Sequence, residues 1–152
     1  MIEHRPTAVD DPVARQLLDE YFDYRAATFP QPDGYRRSYP SAAAFTPPEG
    51  VFLTVLTDDA VAGCGGVRRL SPVRYEVKHL WIRPALQGQG LGRGLLAELE
   101  RRAAELGATE VVLDTNASLE AAGGLYRSSG YQDVAPYNDN PNATNWYRKA
   151  LQ

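Results

Sequence analysis

YEVKHLWIRPALQGQGLGRGLLAELERRAAEL, residues 75–106, is the stretch that decides the fold class of this chain. Its opening residues, through Ile82, read as a strand, and Arg83-Pro84 closes that run because proline has no N–H to give a ladder. QGQGLG, residues 87–92, then leads into Leu91, Leu95, Leu96, Leu99, Ala103 and Leu106, a stripe of helical period that stops near Gly107. A strand, a glycine-rich turn and a helix follow one another. The free backbone N–H groups at the start of such a helix, with its dipole, make an anion site that suits a pyrophosphate. Glycine lets the backbone approach the oxygens without a Cβ, and Arg93 brings charge to the first turn. The same glycines also permit close packing of helix on sheet, a reading that needs no ligand.

Upstream, Val51 to Thr57 and Ala60 to Val67 flank the turn at Asp58-Asp59, which predicts a hairpin. Arg74 to Ile82 adds a third antiparallel strand, with Glu76, Lys78, Leu80 and Ile82 on one face and Tyr75, Val77, His79 and Trp81 on the other. Asp10 and Asp11 before Pro12 start a helix running to about Tyr24, with Val13, Leu17, Leu18, Tyr21 and Phe22 toward a core. Five prolines between Phe29 and Gly50 predict a loop with one short helix around Ser41 to Phe45. Downstream, Thr109 to Asp114 reads as a strand and Ser118 to Ser128 as a helix stopped by Gly130. Tyr131 to Pro136 and Asn145 to Leu151 read as two strands around NDNPNAT. The expectation is one α/β (α+β) domain over residues 1–152, a mixed, mostly antiparallel sheet of six to seven strands with flanking helices.

The composition bounds the function. With 152 residues, 16 Lys and Arg against 19 Asp and Glu, and a formal charge of −3, the chain lacks the basic excess of a nucleic-acid binder. No run of about 18 apolar residues is present to span a bilayer, so no membrane partner is expected. The single cysteine, Cys64, cannot form an internal disulfide, and the start MIEHRPT lacks an apolar signal core; both point to the cytoplasm. Two histidines and one cysteine make a protein-built zinc site improbable, so no metal is expected. Rival phosphate motifs fail on the letters. A dinucleotide fingerprint needs glycine at Arg93 or at Leu95, and no Gly-Lys-Ser/Thr tripeptide is present for a nucleoside triphosphate loop.

Gln87-x-x-Gly90-x-Gly92 resembles the acetyl-CoA loop of the GNAT superfamily of N-acetyltransferases, Gln/Arg-x-x-Gly-x-Gly/Ala, at all three fixed positions. LDTNASLEAAGGLYRSSGY, residues 113–131, is similar to the strand and helix of that family that end in Leu-Tyr-x-x-x-Gly-Phe/Tyr. The resemblance implies the GNAT fold with splayed middle strands and acetyl-CoA as acyl donor. It also implies a pyrophosphate seat at Gln87, Gly88, Gln89, Gly90, Leu91, Gly92 and Arg93, and pantetheine paired along Leu80, Trp81 and Ile82. The backbone N–H of Leu80 would polarise the thioester carbonyl. The acceptor implied is a primary amine of a small molecule or peptide, with a protein N-terminus or lysine, or a non-catalytic acyl-CoA sensor, as alternatives. A homodimer is a further family expectation.

An alkyl ammonium has a pKa of about 10.4, so the acceptor must lose a proton before it attacks. By the resemblance Glu76, eleven positions before Gln87, stands where some relatives carry a catalytic glutamate acting through water; other relatives rely on relayed waters, and a plain strand residue would pair with Lys78. Tyr126 occupies the family's general-acid position, able to give its hydroxyl proton to the departing thiolate; the alternative is a packed helix tyrosine. Leu119 stands where the family often has Asn or Gln toward the cofactor, and Asn116 either replaces that contact or forms a turn. A covalent route through Cys64 with His4 or His79 has little to support it, so direct transfer in a ternary complex is expected. The acceptor pocket is expected between Tyr21 to Phe45 and Ala135 to Asn145, with Tyr24, Phe29, Tyr35, Tyr39 and Tyr137 among its aromatics. Asp23, Asp33 and Asp139 are available there to attract a cationic amine, or are simply solvated.

Overall fold

The computed structural model describes residues 1–152. A single seven-stranded sheet has the order β1-β2-β3-β4-β5-β7-β6. The strands are β1 (Glu3–Pro6), β2 (Gly50–Leu56), β3 (Val61–Arg69), β4 (Arg74–Ile82), β5 (Glu110–Thr115), β6 (Gln132–Val134) and β7 (Asn145–Ala150). Every neighbouring pair is antiparallel except β4 with β5, which a helical crossover makes parallel. The helices are α1 (Pro12–Thr28), α2 (Leu91–Glu105) and α3 (Glu120–Ser128), with 3-10 turns at Ala43–Phe45 and Pro84–Leu86. This is the mixed sheet expected, and none of the helices is long and apolar enough to cross a membrane.

The sheet carries a core on each face. On one side α2 lays Leu91, Leu95, Leu96, Leu99 and Ala103 over Val51, Leu53, Val67, Tyr75, Val77 and Val111. Burying a leucine of that stripe is worth about 1.5–3 kcal/mol. On the other side α1 sets Ala14, Leu17, Leu18 and Phe22 against Phe45, Phe52, Cys64 and Trp81. Asp11 caps α1 by accepting the Val13 N–H at 2.9 Å, and Pro12 opens its first turn. The buried stripe of α1 is shifted from the expected one: Val13 is exposed, Ala14 is buried in its place, and the stripe continues past Phe22 to Arg25. The strand β1 was not anticipated, since EHRP is too short and polar to announce itself; it exists by pairing with the edge of β2.

Two irregularities place everything that follows. First, β4 pairs with β5 only at Arg74 with Glu110, Tyr75 with Val111 and Glu76 with Val112; beyond Glu76 the two strands part. Second, the β3–β4 register slips between Cys64 and Gly66, so His79 and Leu80 together oppose the single residue Gly65. His79 takes up the extra residue with a left-handed φ of 59°. This bulge corrects the expected faces of β4. Tyr75, Val77, Leu80 and Ile82 join the α2 side, whereas Trp81 joins the α1 side and His79 contacts the rings of Phe22 and Phe45.

Gly63 shows how tightly β3 and β4 are set at the top of this opening: a Cβ there would lie 2.1 Å from the Trp81 carbonyl oxygen. Gly63→Ala is expected to destabilise the chain by about 1–3 kcal/mol, as overpacking does, because backbone rather than a flexible side chain must yield. Thermal unfolding of the variant measures this, and a loss within 0.5 kcal/mol, about what a surface change costs, would show that β3 and β4 are looser than described.

Candidate functional site

Where β4 leaves β5, a cleft of about 490 Å³ opens. Leu80, Trp81 and Ile82 form one wall, and Leu119, Ala122 and Leu125 of the α3 segment form the other. Gln87, Gly88, Gly90, Leu91, Gly92 and Arg93 form its end. Of the residues expected at the cofactor, only Gln89 does not line this cleft. Gly88 and Gly90 have φ of 80° and 82°, and a Cβ on either would meet nothing within 4 Å. Conformation, not crowding, is therefore what these two glycines supply. Gly90 precedes α2 without any side-chain cap, leaving the first N–H groups of the helix facing outward for an anion. Gln87 braces the turn by donating to the Ile82 carbonyl at 2.9 Å. Arg93 donates to the hydroxyls of Ser129 and Ser128 at 3.1 and 2.8 Å and has no carboxylate partner, so its charge is left for an anion.

A second cavity, of about 500 Å³, lies on the α1 side and adjoins the first. Tyr21, Arg25, Leu80, Leu119 and Ala122 line both. Tyr126 lines this second cavity, although its ring packs in the α2-side core against Tyr131 and Tyr147 at 6.0 and 5.9 Å between centroids. The gap between β4 and β5 is what lets one side chain serve both. The Tyr126 hydroxyl makes no protein hydrogen bond, and burial pushes its pKa up, so it stays a proton donor at any ordinary pH. The cavity is roofed by two loops tied together: Arg36 N–H donates to Asn142 Oδ1 at 3.0 Å and Asn142 Nδ2 donates to the Arg36 carbonyl at 2.8 Å.

Glu76 is elsewhere. Its side chain is fully buried, on the strand pair below the gap, and it lines neither cavity. One carboxylate oxygen accepts from Arg68 at 2.9–3.0 Å, and the other accepts from the Tyr137 hydroxyl with Lys78 Nζ at 3.8 Å. The pairing with Lys78 that a plain strand residue would make is present, and the carboxylate is also held by Arg68 and Tyr137. Asn116 forms a turn, accepting from the Ser118 N–H at 3.0 Å, and donates to the Asn142 carbonyl at 3.1 Å. Of the aromatics expected at an acceptor pocket, Tyr35 and Tyr39 line this second cavity. Tyr24 lines the first cleft instead, Phe29 packs on Tyr35, and Tyr137 lies on Glu76. Asp23, Asp33 and Asp139 line neither cavity, and Asp23 is paired with Arg37 at 2.7 Å.

The sequence model of the acetyltransferase (GNAT) family matches residues 14–131. The chain belongs to this family. An uncharacterised N-acetyltransferase of Schizosaccharomyces pombe is 35% identical over 99 residues, covering 64% of this chain and 61% of that protein. An acyl-CoA N-acyltransferase of Klebsiella pneumoniae superposes with a TM-score of 0.80 at 26% identity, over 100% of this chain and 99% of its own. The PaiA N-acetyltransferase of Thermoplasma acidophilum, solved in complex with coenzyme A, shares the fold with a TM-score of 0.76 at 17% identity, over 99% of both chains.

The open mixed sheet is shared with these GNAT relatives. Two residues at the site, Arg25 and Asp114, went unnoticed in this GNAT sequence, and a third, His79, lies on the face opposite to the expected one. Arg25 lines both cavities, and the spacing Leu18, Phe22, Arg25 on α1 carried the signal. Asp114 faces the second cavity with its oxygens taken by Lys78 at 3.4 Å, Asn140 at 3.1 Å and Asn138 at 2.7 Å. His79, swung by the bulge, lies among Tyr21, Phe22 and Phe45; burial first, then the nearby Lys78, Arg68 and Arg25 charges, lowers its pKa to about 3.

The imidazole is therefore neutral in the folded GNAT domain while it ionises near pH 6.5 once unfolded. Below that pH the unfolded chain binds the extra proton, so His79 supports stability fully above pH 6.5 and ever less as pH falls toward 3. His79→Asn keeps a residue tolerant of the left-handed backbone and is expected to flatten the loss of stability between pH 6.5 and 4 by about 2 kcal/mol. Urea unfolding across that range checks it; an unchanged slope in the variant would place the acid sensitivity in other groups.

Proposed function

We propose that this GNAT domain transfers the acetyl group of acetyl-CoA directly to a primary amine of a small molecule or peptide, both substrates being bound at once. The observation that carries the reading is the meeting of two cavities, of about 490 and 500 Å³, at Leu80, with Tyr126 lining the second of them. One has the glycine turn and the free Leu80 to Ile82 edge; the other is roofed by the Arg36–Asn142 strap, which favours a small acceptor over a folded protein. Acetyl-CoA supplies an acyl group activated as a thioester.

In this reading the N–H groups at Gly88 to Arg93 hold the pyrophosphate, and the edge of β4 at Leu80, Trp81 and Ile82 holds the pantetheine as an added strand would be held. Tyr126 gives its proton to the thiolate as the carbon–sulfur bond breaks. Glu76 holds Arg68, Lys78 and Tyr137 in place rather than touching the amine, whose proton leaves through water in the acceptor cavity. A silent acyl-CoA sensor would leave the second cavity without a role.

Tyr126→Phe is expected to lower kcat by about 10²–10⁴-fold with acetyl-CoA affinity retained, the size of a lost general acid. Glu76→Gln, which leaves Arg68 and Lys78 short of their counter-charge, is expected to cost about 1–3 kcal/mol of stability and to spare the pH profile of kcat. Thiol release from acetyl-CoA across a panel of amines reads both. Full turnover in Tyr126→Phe would remove the acid, and a well-folded Glu76→Gln whose acidic limb is abolished would return the base to Glu76.

A further inference from the structure

The charges around the acceptor cavity do not suit a bare polyamine. Four cations line it: Arg25, Arg36, Arg68 and Lys78; the one carboxylate that lines it is Asp114. Two of the cations are neutralised within the protein, Arg68 by Glu76 at 2.9 Å and Lys78 by Asp114 at 3.4 Å. Asp114 is itself saturated by Lys78, Asn138 and Asn140. What is left over is cationic: Arg25 and Arg36 have no carboxylate partner.

Arg25 is the more telling of the two. It is only 8% exposed, on the inward stripe of α1, which is an unusual place for a charge without a counter-ion. Of the five N–H donors of a guanidinium, one goes to the Tyr21 hydroxyl at 2.9 Å and no other is engaged by the protein. Its plane lies near the rings of Tyr35 and Tyr21, at 5.0 and 5.8 Å from their centroids. Burying an unpaired charge is costly, and the cost is offset when a ligand brings the missing anion.

We propose that the acceptor amine also carries a carboxylate, as an amino acid does, and that Arg25 binds that carboxylate through its free donors. The proposal rests on the acetyl-transfer reading and narrows its substrate. A carboxylate is planar and takes two parallel N–H bonds, the match a guanidinium fork makes best. Arg25 lines the donor cleft as well as the acceptor cavity. A carboxylate held there therefore keeps its molecule beside the place where the amine meets the thioester, which suits an amine only a few bonds from its acid group. Arg36, at the roof of the cavity, adds a second positive charge along the way in.

The test compares three forms of one acceptor skeleton with the full chain: the amino acid, its carboxamide and its decarboxylated amine, with a phosphate-bearing amine as a fourth arm. Acetyl-CoA-dependent thiol release gives kcat/KM, and calorimetry gives binding without acetyl-CoA. The amino acid is expected to exceed the two uncharged forms by about 10–100-fold, the worth of a charged hydrogen bond. Arg25→Met is expected to bring that ratio close to unity by raising KM for the amino acid while leaving KM for acetyl-CoA unchanged. Should Arg25→Met not fold, Arg25→Lys, which keeps the charge and loses the fork, is expected to retain only part of the preference. Equal or better use of the decarboxylated amine, or a preference for the phosphate-bearing amine, overturns the carboxylate while acetyl transfer stands. A rise in the acetyl-CoA KM alone in Arg25→Met assigns the residue to the donor and overturns the proposal as well. Neither turnover nor binding of any amine would overturn both readings together.

Discussion

The pairing of β4 with β5 over three residues, and no more, is the constraint on which the rest depends. At the closed end Glu110 of β5 is held by Arg74 of β4 and Arg148 of β7, so three adjacent strands are riveted by one carboxylate. Those two hydrogen bonds, Arg74 first, also lower the pKa of Glu110 and keep the rivet charged. At the other end nothing closes the ladder, and β4 keeps its backbone edge free from Val77 to Ile82. An unpaired edge in the interior of a sheet is an expense in backbone hydrogen bonds that a soluble fold seldom tolerates unless something extended is to lie along it.

The bulge at His79 and Leu80 completes the opening. Without the extra residue, Leu80 would keep the face that alternation gives it, and His79 would sit in the α2-side core. With it, Leu80 stands at the wall shared by both cavities and His79 turns toward the rings under α1. One backbone irregularity thus brings the two cavities to a common wall and selects which side chains line it.

Much of this was legible in the letters, for physical reasons. The leucine stripe of α2 and the proline that ends β4 are local signals, and the turn between them needs glycine for its backbone angles alone, so residues 82–107 could be read without a fold. Tyr126 was named from its pattern, and it lines the second cavity. What could not be read is set by contacts distant in sequence. The left-handed His79 has no glycine or asparagine to mark it, so strict alternation misplaced the second half of β4. Glu76 read as a candidate base or as a strand residue paired with Lys78, and its further partners Arg68 and Tyr137 escaped because they come from a neighbouring strand and a distant loop. Arg25 escaped because a charge breaks a hydrophobic count even when it lies on the buried stripe.

Arg93 reaches from the first turn of α2 to Ser128 and Ser129 at the end of α3, and Gly92 brings the two helices close enough for a Cβ to touch Leu125. The glycine turn and the helix that carries Tyr126 are thereby tied into a single bracket. In the proposed reading such a bracket is a caliper: it sets the span between the anion seat and the Tyr126 hydroxyl, and an extended ligand is gauged by whether its reactive end arrives opposite that hydroxyl when its charged end is seated. Selection by length then needs no pocket shaped to the middle of the ligand, only two ends that cannot drift apart.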